Sequence, residues 1–244
     1  MEKLMELTRS CNTVQKISLF TILALLLFMI GCSNDVSVPL FPEDGIPSGW
    51  HVRAWNDVSM PAADDPVWKV ENGILYGGLP RGSWLMSDRE YGDFLIEFEF
   101  RLGERGNSGF ALRAPMYGDP AFDGIELQMA DMRYNPDAAD SELTGGLYRA
   151  VAPSRQVYRP LEWNHYRIEC KGPYIKVALN GEDILDVNLD QELTTVMRHD
   201  GTEALPLRER PRRGHIGFQE LSREDSRVQI RNARIKIYDD TANP

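Results

Sequence analysis

The stretch FDGIELQMAD, residues 122 to 131, sets two side chains that can do chemistry, Glu126 and Gln128, inside an apolar run. Ile125, Leu127 and Met129 alternate as one face of a β-strand, so Glu126 and Gln128 point together from the other face. A carboxyl and a primary amide two residues apart can hydrogen-bond one ligand, and a carboxyl screened from water can move a proton. The same alternation test finds companions. In NSGFALRA, 107 to 114, Phe110 and Leu112 take the core side, which leaves Gly109, Ala111 and Arg113 on the other. In GGLYRA, 145 to 150, Leu147 is core and Gly146 and Tyr148 face away. In GHIGFQEL, 214 to 221, Ile216 and Phe218 are core, and His215, Gly217 and Gln219 face away.

These segments repeat one pattern, small residues beside long polar or aromatic ones. A solvated sheet face favours Thr, Lys, Glu and Arg, as Glu97, Glu99 and Arg101 illustrate in FLIEFEFRL. Glycine and alanine inside strands cost stability and mark places where a ligand approaches the backbone. If the four segments are neighbours, Gly109, Ala111, Gly146 and Gly217 clear a groove. Arg113, Glu126, Gln128, Tyr148 and Gln219 then supply its hydrogen bonds. Such a mixture suits a sugar, whose hydroxyls need planar donors and acceptors and whose C–H faces stack on aromatics.

The elements that must hold this face read as strands. FLIEFEFRL, 94 to 102, buries Phe94, Ile96, Phe98, Phe100 and Leu102. WKVENGILYG, 68 to 77, turns at Asn72–Gly73, and the two hairpins of 165 to 187 include Asn180–Gly181, a dipeptide suited to the left-handed conformations of a tight hairpin turn. In VQIRNARIKIY the apolar phase shifts, and a bulge near Asn232 would return both halves to the core. Roughly a dozen such strands at this spacing predict an all-β, two-sheet antiparallel sandwich or barrel. Two longer irregular stretches, 131 to 143 and 190 to 213, are candidate rims of a site. The first carries Asp131, Asp137, Asp140 and Glu142 without regular calcium-loop spacing and reads as a solvated loop. Trp163 reads as a core anchor.

The N-terminus reads differently. Lys16 precedes an apolar run from Ile17 to Ile30, too short to span a bilayer as a helix and suited to a secretory signal. It ends in MIGCS, which resembles the lipobox of bacterial lipoproteins, so residues 1–31 are expected to be a signal peptide and Cys32 the lipidated residue. Residues 32–48, with three prolines, read as a tether, 49–239 as the domain and 240–244 as a tail. The whole chain carries −10, and the expected mature chain about −11, which argues against nucleic acid and against anionic headgroups, leaving the lipid as the membrane contact. Ser33 after the cysteine, in place of an inner-membrane-retaining Asp, favours the outer membrane of a bacterial envelope. With Cys11 removed and Cys32 acylated, Cys170 stands alone, so no disulfide forms within the mature chain.

NSGFALR, GIELQMAD, TGGLYRAVAP, EWNHYRIECKG, LNGE and RPRRGHIGFQ, in that order, resemble the blocks of the 3-keto-disaccharide hydrolase family, also described as 3-keto-glucoside 1,2-lyase/hydratase domains. The resemblance runs from about Gly49 to Ile237. It implies a jelly-roll sandwich of the concanavalin A/laminin G type whose concave face holds the site. It also implies a reaction in which a sugar oxidised at C3 loses its C2 proton, expels the C1 oxygen and takes up water. On that chemistry Glu126 is the expected base, Arg113 holds the enolate oxygen, with a divalent metal as an open addition, and Tyr148 or His215 protonates the leaving group. Gln128 and Gln219 orient hydroxyls, with Asn107, Gly109 and Gly146 completing the substrate contacts. Many members continue the block matching GFQEL through an acidic residue to His and Gly. Here Glu220 is followed by Leu221 and Ser222, so His215 or His165 would have to substitute. Two other readings stand beside the lyase. One is a non-catalytic glycan-binding module. The other is a laminarinase-like retaining glycosidase, whose paired carboxylates would correspond to Glu126 and Asp131 with Gln128 between them.

Overall fold

Turn chemistry and alternation build this chain. Asn72 and Gly73 have φ of 52° and 73°, and Asn180 and Gly181 have 54° and 85°, so both Asn-Gly pairs adopt left-handed turn conformations. The first joins β3 (Val67–Glu71) to β4 (Ile74–Leu79), and the second joins β10 (Tyr174–Leu179) to β11 (Glu182–Asn188). The structure is a computed structural model that describes residues 37–224 and 226–238. The signal segment 1–31, Cys32 and the tail 240–244 lie outside the described residues.

The remaining strands are β1 (Val38–Pro39), β2 (Trp50–Ala54), β5 (Ser83–Tyr91), β6 (Phe94–Arg101), β7 (Asn107–Ala114), β8 (Ile125–Ala130) and β9 (Asn164–Lys171). They continue with β12 (Val196–Met197), β13 (Glu203–Ala204), β14 (Gly214–Glu220) and β15 (Gln229–Ile237). Among the described residues they form two antiparallel sheets and a small hairpin. One sheet runs β11-β10-β9-β6-β15-β4-β3, with β1 added along β15; the other runs β2-β5-β14-β7-β8; β12 and β13 make the hairpin. This is the jelly-roll sandwich expected. No helix among the described residues is long and apolar enough to cross a membrane.

The core lies between the sheets. Phe98 of β6 meets Phe110 of β7 and Phe218 of β14 at ring-centroid distances of 5.1 and 5.2 Å. Each such buried ring stabilises the fold by about 1.5–3 kcal/mol. Tyr166 of β9 donates to the Gln128 carbonyl of β8 at 2.9 Å and ties one sheet to the other. Cys170 is buried and free within this core. The expected bulge is present, a register shift between Arg231 and Arg234 with Asn232 at φ 53°, so Ile230 and Ile235 both face inward.

Three expectations change. The tether does not extend to residue 48: β1 pairs with β15, Gly45 bridges Val70, and the Phe41 ring lies 5.0 Å from Trp50. Segment 145–150 is not a strand but a turn laid along the edge of β8, with Tyr148 donating its amide to the Glu126 carbonyl at 2.9 Å. Trp163 is no core anchor; its ring lies under the guanidinium groups of Arg101 and Arg231, 5.0 and 4.1 Å away.

Candidate functional site

A cavity of about 620 Å³ opens on the face of the five-stranded sheet that turns away from the core. Its floor comes from three neighbouring strands: Asn107 of β7, Glu126 and Gln128 of β8, and Gln219 of β14. Tyr148 closes one side. These five are the sequence-predicted residues that the fold brings together, four because positions of like parity on paired strands share a face and Tyr148 through its amide bond to β8.

Glu126 is the centre of the arrangement. Its side chain is buried, and its Oε1 has no hydrogen-bond partner. Burial raises its pKa well above the ordinary carboxylate value, and the charge of Asp119 raises it further. Gly109 makes its position possible: a Cβ there would fall 1.7 Å from Glu126 Oε1. Asn107 Oδ1 is a second buried acceptor without a partner. Gln128 has committed its Oε1 to the Met129 amide at 2.9 Å, so it offers its NH2 group.

Sequence reasoning missed the walls, which come from loops. Asp119 caps the short helix α1 (Pro120–Asp123) by accepting from Ala121 N at 3.0 Å. Burial pushes Asp119 up to about 6 against the pull of that cap. His199 stands on the hairpin between β12 and β13, its ring 5.3 Å from Phe122 and 6.0 Å from both Trp55 and Tyr148. Burial, followed by the nearby Arg149 charge, lowers the His199 pKa and holds the ring neutral at neutral pH. Arg198 locks this hairpin to α1 through a two-pronged bond to Asp123 at 2.5 and 2.9 Å. Arg210 of the basic run does the same from beneath, donating to the Ala121 and Gly124 carbonyls at 2.9 and 3.0 Å. Arg81, Tyr134 and Leu221 line the opposite side. One signal was available: Asp119–Pro120 is a helix cap followed by a first-turn proline.

Arg113 and His215 are not in the cavity. Arg113 has φ 52°, which inverts its direction relative to strand alternation. Fully buried, it donates to the Gly92 and Gly172 carbonyls at 2.7 Å each and to Asp93 Oδ1 at 3.0 Å, tying the β5–β6 connection between the sheets to the β9–β10 turn. His215 precedes a register shift in β14 and places Nδ1 2.7 Å from the Ser87 carbonyl. It sits four residues from Gln219, about 13 Å along the strand. His165 lies on the outer face of the other sheet, 3.9 Å from Glu97.

The expected glycine floor also divides. Ala111 packs with Trp84 and Met86, and a Cβ on Gly217 would meet Met86 Sδ at 2.4 Å, so that half of the face is filled. Gly146 is required by close approach to the Ser141 backbone at 2.5 Å.

Among the described residues no three His, Cys, Asp or Glu side chains converge as metal ligands. Two acids of the loop are engaged: Asp131 accepts from Arg133 at 2.7 and 2.8 Å and from Tyr158 at 3.2 Å, and Glu142 accepts from Arg149 at 2.7 Å.

A family model described as the 3-keto-alpha-glucoside-1,2-lyase-like domain matches residues 37–236. Among solved structures, a candidate glycosyl hydrolase of Parabacteroides distasonis is similar, with 24% identity over 83% of this chain and 100% of that one and a TM-score of 0.67. A second from the same organism shares 26% identity over 79% and 90%, with a TM-score of 0.59. A third shares 21% over 83% and 84%, with a TM-score of 0.57. No curated protein matches the chain by sequence.

Proposed function

The chain belongs to the 3-keto-alpha-glucoside-1,2-lyase-like family, a carbohydrate-related one, and from that premise we propose that it cleaves 3-keto-glycosides by elimination and rehydration. The observation that carries this reading is Glu126, a buried carboxyl with an unpartnered oxygen on the floor of a sugar-sized cavity. Leaving buried acceptors unmade is costly, so Glu126 Oε1 and Asn107 Oδ1 favour a ligand that brings donors, as sugar hydroxyls do.

A ketone at C3 acidifies the hydrogen on C2. The ionised Glu126 takes that proton, and the C–H electron pair forms an enolate with charge on the C3 oxygen. The enolate then collapses: the ketone reforms, C1=C2 forms, and the C1–oxygen bond breaks. Water adds back across the double bond, hydroxide to C1 and proton to C2, for net hydrolysis. Raised basicity suits Glu126 to the first step, because a stronger base has more driving force to remove a carbon-bound proton. Burial first, and then the charge of Asp119, hold back its ionisation. With Arg113 elsewhere, the Gln128 NH2 group and Gln219 are the donors available to the enolate oxygen. Tyr148, which burial and Glu126 push far above the ordinary phenol value, keeps its proton and orients substrate as a donor. Trp55 offers an aromatic wall for a sugar C–H face.

The test is incubation with a 3-keto-glucoside while the released aglycone is followed. Release supports the lyase. Tight binding without product would instead favour the glycan-binding module, a reading prompted by Leu221, an apolar side chain on the cavity wall. The retaining-glycosidase reading needs a second free carboxyl, and Asp131 is bound on both oxygens. Lipidation at Cys32 and residence in the bacterial envelope remain part of the proposal on the strength of the 17–32 segment; loss of fatty-acid labelling in Cys32→Ala would support it.

A further inference from the structure

The elimination leaves one task unassigned, delivery of a proton to the departing oxygen. We propose that Tyr134 protonates the leaving oxygen and, as the phenolate, activates the water that adds back; the proposal rests on the lyase reading.

Three elements converge on this one phenol. Arg81, in the turn between β4 and β5, donates from Nη2 to the Tyr134 oxygen at 3.0 Å. Arg223, just beyond β14, holds its guanidinium 4.7 Å from the ring centroid, and that of Arg81 lies 6.0 Å away. Asn107, from the start of β7, lines the same cavity and helps to lower the pKa of this phenol. Among the described residues neither Arg81 nor Arg223 forms an ion pair with a carboxylate within 4.0 Å; the Arg81 charge acts on the buried Glu220 carboxyl as well as on the phenol. The Tyr134 backbone is fixed as well, its amide donating to the Asp131 carbonyl at 2.8 Å.

Charge separates the two tyrosines of the cavity. Burial raises the Tyr148 pKa, and Glu126 adds to that. Burial acts in the same direction on Tyr134, but the bond and charge of Arg81, with Asn107 and Arg223, outweigh it and lower its pKa. His199 is a weaker donor, since its ring is held neutral at neutral pH. In the forward step the phenol O–H bond breaks as its proton joins the leaving oxygen, with Arg81 and Arg223 holding the phenolate. In the return step the phenolate takes a proton from water while hydroxide bonds C1 and Glu126 returns its proton to C2. The cycle closes with no other reactant.

The test compares methyl and p-nitrophenyl 3-keto-glucosides in Tyr134→Phe. A good leaving group departs as an anion and needs no acid. The variant should therefore lose about 10²-fold or more on the methyl glycoside and only a few-fold on p-nitrophenyl release. Equal losses on both, or none on either, would overturn the role. Glu126→Gln should abolish turnover of both, which separates failure of the lyase reading from failure of this one. A measurement independent of turnover is the ultraviolet titration of tyrosinate. The native protein should show one tyrosine ionising below the ordinary value near 10 that is missing in Tyr134→Phe and moves upward in Arg81→Gln/Arg223→Gln. Superimposable titrations would contradict the proposal even if no substrate were turned over.

Discussion

The Glu126 carboxyl occupies the space that a side chain on Gly109 would fill, with Oε1 1.7 Å from the position of a Cβ there. The two are diagonal neighbours across β7 and β8, Gly109 lying opposite Gln128 and Ala111 opposite Glu126, so the glutamate leans over the glycine. The glycine is thus part of how the carboxyl is buried and why it lacks a partner.

Gly109→Ala should therefore displace Glu126 while leaving the core face intact. Turnover should fall by about 10²-fold, the scale set by a misplacement near 1 Å. In a Glu126→Ala background the same substitution should cost little melting temperature, because the two residues are coupled. An equal stability cost in both backgrounds would show that Gly109 is needed for another reason.

Asp119 raises the Glu126 pKa by its charge. Asp119→Asn keeps a capping acceptor for Ala121 and removes that charge. Glu126 should then ionise more readily, and the acid limb of the kcat/KM profile should move to lower pH. An unmoved limb would uncouple the two carboxyls.

The same burial has a stability consequence. A carboxyl whose folded pKa is raised contributes no penalty below its unfolded value; as pH rises from there toward the folded value, native stability falls. Glu126→Gln removes this ionisation, so the variant should melt above the native protein at pH 7–8, with the gap closing near pH 4. For a domain of this size each kcal/mol corresponds to roughly 2–4 °C. A gap independent of pH would mean the carboxyl is not held neutral by burial.

Arg113 should behave as a structural residue. Arg113→Met leaves the Gly92 and Gly172 carbonyls without this donor and Asp93 with only the Gly172 amide, a loss of about 2–4 kcal/mol. Thermal melting should show it, while kcat and KM of the folded variant stay near native. A kinetic defect without destabilisation would place Arg113 back in the chemistry.

Strand parity made the floor of the site readable, since Asn107, Glu126, Gln128 and Gln219 all keep the alternation of their strands. It failed where the backbone breaks that rule, at the left-handed φ of Arg113 and the register shift after His215. Tyr148 was reached although its segment is not a strand, because its backbone bonds to β8 hold it to the sheet's phase. Trp55, Asp119, Tyr134 and His199 arrive on loops, whose paths depend on long-range clamps such as Arg198–Asp123 that carry no periodic signature. Likewise the apolar layer over Ala111 and Gly217 is supplied by Trp84 and Met86, a strand away, and cannot be seen within either segment.

The central claim is that Glu126 removes the C2 proton of a 3-keto-sugar. The most direct measurement is single-turnover kinetics of native and Glu126→Gln protein on a 3-keto-glucoside, with binding followed separately by calorimetry. The account predicts product release by the native protein and none by the variant, with binding retained; turnover by Glu126→Gln at the native rate would contradict it.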